Sequence, residues 1–178
     1  KPSLTTINHC SFKNLNYGLR LDLTGYLSAF PISYSSFSNN NTGIYSYGGG
    51  GLDISNSTFN SNVIGVKAIT VAQDCKFLDC HFSNNSSEGI ELNGLTTTNS
   101  YFYHSSFTSN YLGINTLTAS PSYNNVNVTL KCSKFKNNNI GVQAGHDLNL
   151  STTKTLGGYS GGDNVFYFNS SAPSYSTA

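Results

Sequence analysis

Apolar and polar positions along the chain follow one template, repeated every 22 to 31 residues. Taking a phenylalanine as origin, positions −7 and −5 are mostly apolar, as in Phe30 and Ile32, Leu52 and Ile54, and Val128 and Leu130. A small residue stands at −2, an asparagine at +3 and a glycine near +6. Alternation then resumes in Leu19-x-Leu21-x-Leu23, Val66-x-Ala68, Ile90-x-Leu92 and Val142-x-Ala144. Each stretch reads as a short strand with its apolar side inward. Three such strands per repeat, joined by two tight bends and one variable loop (24–30, 46–51, 93–99, 116–127 and 145–162), predict an all-β solenoid of about seven rungs. The small-x-Phe strand lies between the two bends.

Stacking accounts for the columns. Successive rungs lie about 4.8 Å apart, so equivalent positions fall over one another. Phe12, Phe37, Phe59, Phe82, Phe107, Phe135 and Phe166 are expected to form one aromatic stack, burying roughly 150–250 Å² each. Asn40, Asn62, Asn85, Asn110, Asn138 and Asn169 are expected to form an amide ladder at a bend that needs left-handed backbone. Leu15 interrupts that ladder in the first rung, and the glycines are expected to supply the other bend. A β-sandwich would not hold the Phe-to-Gly interval at six residues in five of six copies.

These rungs, such as Ser57-x-Phe59-x-x-Asn62-x-x-Gly65-Val66, resemble the right-handed, single-stranded parallel β-helix repeats of the pectate-lyase-like superfamily. They are most similar to the rungs of bacterial surface proteins and autotransporter passengers. The resemblance covers about residues 4 to 169. It implies a single domain over 1–169, with 170–178 as a linker-like tail or loop. It does not select a function, because that superfamily holds lyases, hydrolases, tailspikes and non-catalytic adhesins.

Composition narrows the choice. Charged residues are 10% of the 178 and the net charge is +1, which offers no basic surface for nucleic acid or anionic membrane. No apolar run reaches 18 residues, so no membrane-inserted helix is expected. Methionine is absent and the first residue is Lys1. The expectation from this is a chain cleaved from a precursor or excised from a longer protein, with an extracellular or cell-surface location.

The four cysteines do not read as a disulfide framework. Cys10 and Cys80 share the inward −2 column with Ser35, Ser57, Ser105 and Ser133, three rungs apart and roughly 14 Å from each other, beyond disulfide reach. Cys75 and Cys80 share a rung, where a bridge across the corner is open. Seven Asn-x-Ser/Thr sequons occur, about the number such a composition gives by chance.

For chemistry, the outward columns decide. Polysaccharide-cleaving sites need paired acids on neighbouring rungs, and none of the columns −6, −1 and two past the glycine holds them. Lys67 and Glu91 are expected to form a surface ion pair. At −3, Asp79, His104 and Cys132 lie on successive rungs, in the order a Cys-His-Asp relay or part of a zinc site would need. His9, Tyr34 and Asn56 occupy the same convex column, and a relay also needs a pocket and an oxyanion hole. Tyr45, Tyr47, Tyr101, Tyr111 and Tyr123 are candidates for stacking on sugar rings. No cofactor or metal is expected.

The expected function is a non-catalytic stalk, adhesin segment or extracellular filament subunit, with end-to-end self-association and surface glycans as possible partners. The alternative is a carbohydrate-binding or carbohydrate-active β-helix.

Overall fold

The computed structural model describes residues 6–25, 28–117, 122 and 124–145, together with the backbone strands 148–149, 165–167 and 174–175. The chain lays down three strands per turn. The first turn holds β1 (Ile7–Asn8), β2 (Ser11–Lys13) and β3 (Tyr17–Asp22). The next two hold β4 (Phe30–Ser33), β5 (Ser36–Ser38) and β6 (Thr42–Tyr47), then β7 (Leu52–Ser55), β8 (Thr58–Asn60) and β9 (Ile64–Val71). They are followed by β10 (Cys75–Leu78), β11 (His81–Ser83) and the 16-residue β12 (Glu88–Tyr103). Then come β13 (Ser106–Thr108) and β14 (Leu112–Asn115), and after them β15 (Asn124–Lys131), β16 (Lys134–Lys136) and β17 (Ile140–Ala144). The short strands β18 (Leu148–Asn149), β19 (Val165–Tyr167) and β20 (Ser174–Tyr175) pair parallel with β15, β16 and β17.

Every strand pairs in parallel with its equivalents one turn away, giving a parallel β-helix with three faces. Face one carries β1, β4, β7, β10 and β15; face two, the phenylalanine strands; face three, β3, β6, β9, β14 and β17. Residues 93–99, expected as a variable loop, are instead part of β12. Its first half pairs with β9 on face three and its second half with β10 on face one. Two faces therefore belong to one hydrogen-bonded sheet. Five turns separate Phe12 from Phe135, which makes six phenylalanine rungs, and β19 lies in register with β16 as a seventh strand on face two. Within 170–178, expected to be linker or loop, Ser174–Tyr175 forms β20. Of the loop expected over 145–162, residues 146–147 and 150–162 lie outside the described residues.

The core confirms the columns. Successive rings from Phe12 to Phe135 stack at 4.7–4.9 Å and within 8° of parallel. The strand register pairs Phe135 with Phe166. A second buried pair, Phe77 and Phe102, stacks at 4.9 Å and meets Phe82 and Phe107 edge-on. Each ladder asparagine from Asn40 to Asn110 donates its amide to the next side-chain carbonyl at 2.8–3.1 Å. The amides of Asn40 to Asn138 also donate to the phenylalanine carbonyl one turn back. At the first turn, where Leu15 replaces asparagine, its backbone N–H donates to Asn40 Oδ1 at 2.9 Å. Asn169 lies outside the described residues.

Two expectations about the bends need correction. The ladder asparagines are not the left-handed residues; those are their predecessors, Asn39, Ser61, Asn84, Ser109 and Asn137, with φ of 53–56°. The second bend is made by the −3 column, His9, Tyr34, Asn56, Asp79, His104 and Cys132, all with φ of 47–53°. The repeat glycines lie in or at the start of face-three strands and have no positive φ. They are small for a different reason. A Cβ on Gly18, Gly43, Gly65, Gly89 or Gly113 would run into the glycine carbonyl of the next turn and press on a stacked phenylalanine.

Candidate functional site

Three places bring chemical groups together. The first is the −3 corner. His104 Nδ1 lies 3.6 Å from Asp79 Oδ1, with both side chains about half exposed. Cys132 is half-buried on the following turn. This is an open convex bend whose residue types vary freely because the position serves backbone geometry. His9 and Tyr34 stack at 5.0 Å in the same column. Among the described residues no group of three His, Cys, Asp or Glu is placed to hold a metal ion.

The second place is face three. Arg20, Tyr45, Lys67, Glu91, Asn115 and Gln143 point outward in register. The Lys67–Glu91 ion pair forms at 2.7 Å, and Asn93 donates to Glu91 at 3.2 Å. At such partly exposed positions the pair contributes under about 1 kcal/mol. Arg20 lies over the neighbouring rings of Tyr17 and Tyr45, each centroid 5.8 Å from its guanidinium carbon.

The third place is a groove of about 310 Å³ beside face one. It is lined by Asp53, Asp74 and Lys76, by Gln73, Thr97 and Thr98, and by two alanines. Lys76 pairs with Asp53 in the strand register, and Asp74 lies two residues before Lys76. Asp74 Oδ1 accepts the Asn99 N–H at 3.0 Å and its amide at 3.4 Å. Thr98 is buried with an unpartnered hydroxyl. Nearby, burial raises the phenol of Tyr101, and the charge of Asp74 and the neighbouring Tyr103 add to it. These groups can hold a polar, hydroxyl-rich ligand or a cation. Sequence reasoning missed the groove because Asp53 and Asp74 stand in different outward columns. The signal was there: Asp74, eight residues before Phe82, stands immediately before the next strand of the same face.

The tyrosine candidates do not converge. Tyr45 and Tyr47 share face three, Tyr101 lies on face one beside Tyr103 at 6.1 Å, and Tyr111 is exposed at the bend after the ladder. Tyr123 lies outside the described residues.

None of the four cysteines is in a disulfide, so the bridge left open between Cys75 and Cys80 is not formed. Both are fully buried, and burial pushes each thiol up to about 12. Cys80 takes a place in the serine column, its N–H donating to Ser105 Oγ at 3.3 Å. Its Sγ donates to the Leu78 and Ile54 carbonyls. Of the sequon asparagines, Asn40 and Asn85 are buried in the ladder, whereas Asn56 and Asn84 are exposed at the bends.

Against known proteins, a family model described as "Right handed beta helix region" matches residues 2–140. No curated protein and no solved structure matches.

Proposed function

The chain belongs to the right-handed β-helix family, and from that premise we propose that it is a structural and adhesive module at a cell surface or outside the cell. In this reading it acts as a stalk, an adhesin segment or a filament subunit, and it recognises partners through outward side chains without catalysing a reaction. End-to-end association and surface glycans are its proposed contacts.

One observation supports the reading above others: the same buried contacts recur at every turn. Ring-on-ring stacking at 4.7–4.9 Å and amide-to-amide bonds at 2.8–3.1 Å run through the described coils. Such a column resists bending because any tilt between coils opens several buried contacts together. The outward carboxylates, in contrast, are engaged or dispersed: Glu91 with Lys67, Asp74 with Asn99, and Asp79 with His104 on an exposed bend.

Small-angle scattering and negative-stain microscopy of the purified chain test this. Stiff rods, alone or joined lengthwise, are expected. Compact particles, or turnover of a polysaccharide, would overturn it.

A second reading, a carbohydrate-binding or carbohydrate-active β-helix, is favoured by the groove of Asp53, Asp74 and Lys76. Depolymerisation of a polysaccharide panel, abolished by Asp53→Asn or Asp74→Asn, is its expected sign. No turnover by the wild-type chain removes its catalytic form.

A further inference from the structure

Arg20 is the only arginine among the 178 residues, and it stands exposed on face three. A guanidinium offers a rigid fork of donors shaped for a carboxylate. Among the described residues no carboxylate forms an ion pair with it; the ion pairs there are Lys67–Glu91 and His104–Asp79. The nearest acid along its strand is Asp22, and that carboxylate is engaged elsewhere. Its Oδ1 accepts the Thr24 N–H at 3.0 Å. Hydrogen bonds from Thr24 hold its pKa low, with Arg20 contributing least.

The fork lies against two aromatic rings. Tyr17 and Tyr45 lie side by side on one side of it, their centroids 5.3 Å apart and their planes at 56° to each other. Tyr47 pairs with Asp22 in the register and leaves 47% of its surface exposed. Tyrosine faces take the C–H side of a sugar ring, and phenol and carboxylate edges bond its hydroxyls. One unpaired cation next to Asp22 suits a single carboxylate and disfavours a densely charged polyanion.

We propose that Arg20, Tyr45 and Tyr47 form a binding site for a carboxylated saccharide, the guanidinium taking the carboxylate and the tyrosine rings taking the sugar. The proposal deepens the surface-recognition role above and rests on it. It concerns face three and is separate from the groove on face one.

A single arginine gives a single Nε–Hε signal, which makes the test direct. The ¹⁵N-labelled full chain is titrated with a glucuronate trisaccharide and with sialyllactose, and in parallel with the methyl-esterified trisaccharide and with lactose. A saturable shift of the Arg20 signal is expected with at least one acidic sugar, and at least about tenfold weaker binding to its neutral counterpart. Arg20→Lys, which keeps the charge and loses the fork, is expected to weaken binding about tenfold. Tyr47→Ala is expected to weaken it severalfold. Which acid binds separates a uronate from a sialate source. Equal binding of acid and neutral sugar, no saturable shift with either acid, or unchanged affinity in both variants would each overturn the proposal. Scattering on the same samples keeps its failure distinct from that of the rod reading, since a rod without sugar binding refutes the site alone.

Discussion

A methyl group on Gly89 would meet the carbonyl oxygen of Gly113 at 2.6 Å and the ring of Phe107 at 3.1 Å. The glycine column thus marks where face three of one turn passes closest to the next. Gly89→Ala is expected to cost about 3 kcal/mol, because a backbone oxygen cannot step aside as a side chain can. At Gly49 the nearest atom to an added Cβ is Ala72 Cβ at 3.7 Å. Gly49→Ala should stay within about 0.5 kcal/mol of wild type or stabilise slightly. Urea denaturation of both variants checks the contrast.

The ladder makes a second position-specific prediction. Asn85 Oδ1 accepts from the backbone and amide of Asn62, while its own amide donates to Phe59 O and Asn110 Oδ1. Asn85→Ala leaves several buried groups unpartnered and should cost roughly 3–4 kcal/mol. Asn41, whose amide makes an exposed bond to Asn16, should lose no more than about 0.5 kcal/mol on the same change. Similar losses at the two sites in a denaturation series would contradict the ladder's role.

Position in the stack should set the cost of losing a ring. Phe82 is fully buried between Phe59 and Phe107 and edge-on to Phe77. Phe82→Ala is expected to cost about 4 kcal/mol and Phe82→Leu about 1–2 kcal/mol. Phe12, partly buried and stacked only on Phe37, should tolerate alanine better than Phe82 does. Thermal melts rank the three.

Alkali should weaken the fold through two thiols. Cys75 and Cys80 have folded pKa values raised to about 12 from an ordinary 9.0. Above pH 9 the unfolded chain loses these protons while the folded chain keeps them, so stability is full below pH 9 and falls between about 9 and 12. Each thiol adds a slope of about 1.4 kcal/mol per pH unit in that window. Cys80→Ser, which extends the serine column, should flatten the decline at little cost near neutrality. An unchanged alkaline slope in that variant would be the contrary result.

The left-handed corners give a last test. Ser61 is exposed with φ 56°. Ser61→Asn should be neutral to stabilising, and Ser61→Val should cost about 1–2 kcal/mol, since a β-branched side chain is strained there. Calorimetry on the pair reads the sign.

Much of this architecture is legible in residue order. Phenylalanine, asparagine and small residues recur at fixed offsets, and like residues at equivalent offsets are best satisfied by lying over one another. That places Phe59 on Phe82 and Asn62 on Asn85 without coordinates. The Lys67–Glu91 pair follows from the same register, as does the absence of a Cys10–Cys80 bridge.

Tertiary structure alone assigned roles within those columns. Glycine and left-handed backbone go together so often that Gly65 looks like a bend. Only the close approach of Gly89 shows it to be a spacing requirement within a strand, while Ser61 and Asn84 carry the positive φ. The outward groups were hidden for a related reason. Asp53 and Asp74 meet at one groove, and Arg20 lies over Tyr17 and Tyr45, through side-chain directions that repeat counting does not contain. The period of the chain fixes what lies inside, because buried columns must match turn by turn. What gathers outside depends on how each corner and loop closes, and that is set by packing in three dimensions.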